Sequence, residues 1–138
     1  MLYRIIYSSR ATHFLNDDEL RALCETSTQR NLRDGITGLF LYDGVRFLQA
    51  IEGARPVVEN LMERIVRNPN HSDIVDIFNG EIDRREFPHW SMEEPPRYGE
   101  DLEQFVEQVK ADVSLVADTH MRAQFIGFAR LASKRRNP

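Results

Sequence analysis

Three polar side chains stand where the sequence pattern calls for apolar ones: Tyr7, Asn31 and Gln49. Gln49 lies in the stretch Arg46-Phe47-Leu48-Gln49-Ala50-Ile51-Glu52-Gly53. Period-two alternation places Val45, Phe47, Gln49 and Ile51 on one face of a strand, and Arg46, Leu48, Ala50 and Glu52 on the other. A buried primary amide has two donors and two acceptor lone pairs to satisfy, and each one left unmade costs roughly 1–3 kcal/mol. Gln49 therefore needs a polar partner, from the protein itself or from a ligand. Asn31 and Ser27 extend a helical stripe that begins with Leu20, Leu23 and Cys24. Either they meet water and free carbonyls near the helix end, or they face a polar component in the interior. A phenol and two amides are poor tools for hydrolysis, because none is a useful base near neutral pH. They suit the edge of a planar, hydrogen-bonding heterocycle held between two helices, with Arg64 and His71 meeting a more polar tail and Asn68 contributed by the second helix beside them. A tyrosine is also a one-electron donor if that heterocycle is redox-active.

The elements that must position these groups follow from periodicity. Leu2 to Ser8 reads as a strand with Tyr3, Ile5 and Tyr7 on one face. Asn16 or Asp17 caps a helix running to about Asn31. Asp34-Gly35 breaks it, and Ile36 to Tyr42 is a second strand. Asp43-Gly44 is a strong hairpin signal leading directly into the Gln49 strand. A second helix spans Val57 to about Arg67, with Val57, Leu61, Arg64 and Ile65 inward and Asn68 and His71 just past its end. Ile74 to Ile82 forms a fourth strand, and Trp90-Ser91-Met92 a short fifth. The order β-α-β-β-α-β-β predicts an α+β, ferredoxin-like sheet with both helices on one face and one strand added. The crossover rule leads us to expect strand one parallel beside strand three, with Tyr7 and Gln49 as neighbours. Pro95-Pro96-Arg97 separates residues 1–95 from a helical extension over 98–138. Its two stripes are Leu102, Phe105, Val109, Val113 and Val116, then Met121, Phe125, Phe128 and Ala132. They predict a hairpin of helices on the free face of the sheet, with apolar surface left over for self-association or a partner. Lys134-Arg135-Arg136 complements the last helix dipole rather than binding nucleic acid.

Bulk properties narrow the class. The chain has 138 residues, 41% hydrophobic and 29% charged, with a net charge of −4, which describes an ordinary globular domain. The negative balance speaks against nucleic acid as the main partner. No apolar run approaches the roughly 20 residues needed to span a bilayer. Leu2 already begins a strand, leaving no room for a secretion signal. Cys24 is the single cysteine, so neither an internal disulfide nor a cysteine zinc cluster is available. A cytoplasmic location is expected. There is no Gly-rich nucleotide loop, no serine-hydrolase elbow and no metal-ligand spacing among His13, His71, His89 and His120. Glu93 and Glu94 read as a solvated pair rather than an acid/base couple.

The segments Tyr7-Ser8-Ser9, Asn31-Leu32-Arg33-Asp34-Gly35-Ile36-Thr37-Gly38, Phe47 to Gly53 and Trp90-Ser91-Met92 resemble the signature segments of BLUF domains, sensors of blue light using FAD. The resemblance covers about residues 1–95. It implies a non-enzymatic photoreceptor with FAD bound non-covalently between the two helices. Gln49 would be the switching amide, Tyr7 its hydrogen-bond partner and electron donor, and Asn31 a clamp on the pyrimidine edge. Leu23 and Ser27 would line the ring, Arg30 would stand next to it, and Arg64 and His71 would meet the ribityl chain. Asn68 departs from the family's common aspartate. Trp90 and Met92 match the strand that the family links to output, which here would run through the helical extension to a separate signalling protein. Two other readings compete: a ferredoxin-like interaction module, and an acylphosphatase-like enzyme in which Arg64 and Asn68 would hold an acyl phosphate.

Overall fold

A computed structural model describes residues 1–93 and 102–136. The elements are β1 (Leu2–Ala11), α1 (Asp17–Asp34), β2 (Thr37–Tyr42), β3 (Arg46–Ala54), α2 (Arg55–Arg67), β4 (His71–Ile82), β5 (Trp90–Glu93), α3 (Leu102–Asp112) and α4 (Thr119–Arg136). The α+β ferredoxin-like plan is as expected, with the sheet ordered β4-β1-β3-β2-β5. One expectation is corrected. β1 lies beside β3 but runs antiparallel to it. The right-handed crossover through α1 returns the chain parallel in β2, and the tight hairpin then reverses β3 into the gap between β1 and β2. Tyr7 and Gln49 are still neighbours, directly opposite each other in the register.

Local chemistry explains the boundaries. Asn16 caps α1: its side chain accepts from the Glu19 N–H at 2.9 Å, and Glu19 accepts from the Asn16 N–H at 3.2 Å. Gly35, at φ 69°, takes the left-handed position that ends α1. Asp43 shapes the hairpin by accepting from the N–H groups of Val45 and Arg46 at 2.8 and 2.6 Å. Gly38 has φ 154°, and a Cβ there would stand 1.9 Å from the Ala50 carbonyl oxygen. Only glycine lets β2 approach β3 so closely. β3 passes straight into α2, and Pro56 sits in the helix's first turn, where its missing N–H costs nothing. β1 and β4 both run farther than periodicity suggested, so His71 opens β4 instead of trailing α2.

Each face of the sheet has its own core. α3 and α4 pack on one face, where Phe105, Val109, Val113, Phe125 and Phe128 meet Leu39, Leu41, Leu48 and Ala50. On the other face α2 covers Tyr3, Ile5 and Ile51 with Val58 and Leu61. α1 behaves differently. Its buried residues are Ser27 and Asn31, while Leu20, Leu23 and Cys24 are only partly covered. A helix that buries its polar residues and leaves its leucines half open stands off from the sheet. The linker at Pro95-Pro96-Arg97 and the side chains of Lys134, Arg135 and Arg136 lie outside the described residues. Among the described residues no helix is long and apolar enough to cross a membrane.

Candidate functional site

The space under α1 is a cavity of about 510 Å³ between α1, α2 and the sheet, within the usual range for small-molecule sites. Its floor comes from β1 and β3. The Tyr7 hydroxyl donates a hydrogen bond to Oε1 of Gln49, and both residues are buried. Burial, opposed weakly by the Arg30 charge, pushes the Tyr7 phenol above its ordinary range, so it stays neutral and keeps its proton to donate. Leu15, Leu23, Phe40 and Phe47 supply an apolar wall. The Tyr42 hydroxyl holds that wall in place, accepting from the Leu15 N–H at 3.2 Å and donating to the Gly44 carbonyl at 3.1 Å.

The structure brings most of the expected residues together. Tyr7, Leu23, Ser27, Arg30, Gln49, Arg64, Asn68 and His71 all line this cavity. Asn31 is fully buried next to it, one position beyond Arg30 on α1. Its side-chain oxygen and nitrogen are both buried without a hydrogen-bond partner among the described residues. An amide with donor and acceptor both unmet is costly in a folded protein. The complement it lacks is a group offering an acceptor and a donor side by side, as the carbonyl and N–H of a ring imide do.

Other side chains are already committed. His71 is positioned by Ser9, 2.8 Å from Nδ1, and by the Ile65 carbonyl, 2.5 Å from Nε2. Nε2 donates to that carbonyl, and the Ser9 hydroxyl holds Nδ1. His71 therefore fastens the end of α2 to β1, and it meets Tyr7 and Phe47 edge-on. Asn68 turns its carbonyl to the Asn70 N–H at 2.9 Å. Ser9 escaped notice as a site residue, although it belongs to the Tyr7-Ser8-Ser9 segment. Phe40, which also lines the cavity, carried no signal beyond strand alternation.

Trp90 and Met92 lie on the cavity face of β5 and pack with Phe40 and Phe47, so Trp90 points inward. Ser91 and Glu93 occupy the opposite face. The expected solvated Glu93–Glu94 pair needs correction. Glu93 is half-buried against α3, and burial, then the carboxyl of Asp112, raise it to about 8. Alternation along β5 turns Glu93 toward α3, and Glu94 lies outside the described residues. On the α3/α4 face Glu52 is fully buried. It binds Arg4 Nε at 2.7 Å and accepts from the N–H groups of Glu86 and Phe87 at 2.9 Å each. Arg85 ties the same loop to Thr37, the Glu52 carbonyl and the Gly35 carbonyl. These contacts fix the segment that leads into β5. Among the described residues no group of three or more His, Cys, Asp or Glu side chains is placed to hold a metal ion.

Fold and site together define an α+β domain with a cavity of small-ligand size and, on the helix that roofs it, a buried carboxamide, that of Asn31, with both polar atoms unmet. Residues 2–93 match the family model BLUF, sensors of blue-light using FAD, and the chain belongs to the BLUF family. It is 34% identical over 92 residues to photoactivated adenylate cyclase subunit beta of Euglena longa, a match covering 66% of this chain and 11% of that protein. Among solved structures it resembles BlrB, a BLUF protein in its dark state, with TM-score 0.65 and 28% identity over 96% of each chain. It also resembles Klebsiella pneumoniae BlrP1 with FMN and cyclic diGMP, with TM-score 0.74 and 27% identity over 92% of this chain and 35% of that one. The chain thus spans only about a tenth of the curated cyclase it matches. The residues present fit a flavin: an apolar wall for a planar ring, and the unmet Asn31 amide for its imide edge.

Proposed function

We propose that this chain is a blue-light photoreceptor that holds FAD non-covalently between α1 and α2 and signals through a rearranged Tyr7–Gln49 hydrogen bond. The observation that carries the reading is the fully buried Asn31 amide, unmet on both atoms beside a cavity floored by Tyr7 and Gln49. Asn31 clamps the pyrimidine edge. Leu23 and Ser27 line the ring, Arg30 stands beside it, and Arg64 and the neighbourhood of His71 meet the ribityl chain. Asn68 contributes through the α2 terminus that it caps.

Bound flavin supplies blue-light absorption and a ring that can accept an electron. With flavin bound, Tyr7 would be the residue that gives an electron to the light-excited ring and then its hydroxyl proton, because an oxidised phenol is strongly acidic. The hydrogen bond already made to Gln49 would be the path of that proton, and electron and proton would both later return to Tyr7. Gln49 does not return with them: its amide stays rotated or tautomerised, and presents a donor where it had presented an acceptor. One hydrogen bond is worth about 1 kcal/mol net, enough to move a two-state equilibrium several-fold. Trp90 and Met92 sense the change on the cavity face of β5, and α3 and α4 pass it to a separate signalling protein. That extension also supports self-association, with Leu115 and Leu131 exposed on it. The chain is a sensor in the cytoplasm, not an enzyme, and needs neither nucleic acid nor membrane.

An absorption spectrum of the purified protein before and after blue illumination tests this. A flavin spectrum with a small red shift that decays in the dark is expected. A colourless protein that takes up no flavin overturns the reading, and bound flavin without a shift overturns the Tyr7–Gln49 switch.

A further inference from the structure

β4 is an edge of the sheet: among the described residues it pairs with β1 and with no other strand. Its outer row of backbone N–H and C=O groups therefore has no ladder partner. Proteins usually blunt such an edge by keeping it short or by placing lysine or proline on it. β4 is twelve residues long and has neither. The register divides its two sides by chemistry. Asp76 stands opposite Tyr7, Asn79 opposite Ile5 and Glu81 opposite Tyr3, so these three lie on the side of the cavity and α2. Val75 stands opposite Ser8 and Phe78 opposite Ile6, on the side of α3 and α4. Those helices leave both open: Val75 is 57% exposed and Phe78 39%, with the Arg4 guanidinium 5.4 Å from the Phe78 ring centre. The polar side is negative. Glu81 shares Arg55 with Glu59. Asp73 and Asp76, both exposed, have no ion-pair partner among the described residues. No Lys or Arg occurs between His71 and Ile82 to offset them.

We propose that the free edge of β4 is a docking site for an extended segment of a partner protein, which joins the sheet as a sixth strand with basic side chains on one side and apolar ones on the other. Main-chain hydrogen bonds supply the affinity, and the alternation supplies the selectivity. Basic side chains meet Asp76 and Glu81, and apolar ones cover Val75 and Phe78. A second copy of β4 is a poor occupant. It would set acid against acid, and like charges directly opposite on a ladder are destabilising. Ile77 is also an extra residue between the Tyr7–Asp76 and Ile6–Phe78 pairs, and such a bulge turns an edge away from open-ended self-pairing. This edge is distinct from the α3/α4 surface assigned above to output, and neither flavin nor light is needed for docking.

The test uses the full chain and a labelled peptide of about ten alternating lysines and valines, the length of a long strand. Fluorescence anisotropy reads binding, and hydrogen exchange reads the amides of residues 75–82. Binding that slows exchange over 75–82 and weakens as salt rises is expected. Asp76→Lys, which replaces attraction by repulsion across the ladder, should weaken it about tenfold. The same peptide N-methylated throughout keeps its charge but cannot join a ladder, and it should not bind. Equal binding of the methylated peptide overturns strand addition, as does unchanged exchange over 75–82. Equal binding of a glutamate–valine peptide, or an Asp76→Lys variant that binds as wild type does, overturns the choice of a basic partner. Protection of 75–82 that grows with protein concentration in the absence of peptide overturns it too, because a second copy would then occupy the edge.

Discussion

The Tyr7 hydroxyl donates to Gln49 Oε1 across the β1–β3 ladder, where the two residues stand directly opposite each other. Directly opposed residues of an antiparallel pair bring their Cβ atoms to about 5 Å. A slip of one residue would send Gln49 to the α3/α4 face. The Tyr7–Gln49 contact is therefore set by strand register and not by loop conformation.

If this bond is the switch, Tyr7→Phe and Gln49→Leu leave flavin bound and abolish the long-lived red shift. Time-resolved absorption after a blue pulse checks this. Normal photocycling in either variant refutes the mechanism.

The unmet Asn31 amide predicts a trade-off between stability and binding. Asn31→Leu removes two orphaned buried atoms and should raise the stability of the flavin-free protein by about 1–3 kcal/mol. It should also weaken flavin binding, because the imide edge loses its partner. Urea unfolding and a flavin titration measure the two effects, and a variant that binds as tightly as wild type would count against the clamp.

Glu93 gives a pH dependence with a definite sign. Its folded value of about 8 lies above the ordinary value of 4.5. Between these the folded chain holds a proton that the unfolded chain has released, so stability falls as pH rises. The contribution is complete below about pH 4.5 and is lost as pH passes through about 8. Glu93→Gln cannot ionise, so its melting temperature should decline less than wild type across that window. Parallel melting profiles would show that Glu93 does not hold α3 against β5.

The Arg4–Glu52 pair predicts the largest loss. Glu52→Ala leaves the buried Arg4 guanidinium unpaired and frees the N–H groups of Glu86 and Phe87. Removing one partner of a buried pair costs about 3–5 kcal/mol, which denaturant unfolding would register. A loss under 1 kcal/mol would mean that water replaces the carboxylate.

Alternation alone assigned Gln49 to the inner face, because a strand's side chains obey a strict period of two. Helical spacing likewise put Ser27 and Asn31 in line with Leu20, Leu23 and Cys24, and the hairpin and α1 cap were legible in Asp43-Gly44 and Asn16. The direction of β1 was not legible, since neighbourhood and direction are separate properties of a strand. Nor was the role of Glu93, whose partner Asp112 lies on a different element.

The sequence by itself determined the order of the elements, the face on which each polar residue sits and the family to which the chain belongs, because these depend on local spacing and turn chemistry. The tertiary structure alone decided that the Asn31 amide has no hydrogen-bond partner among the described residues, that His71 is tied to Ser9 and Ile65, and that Arg30 and Arg64 line one cavity. Those facts depend on where the helices come to rest on the sheet, which contacts between distant residues set.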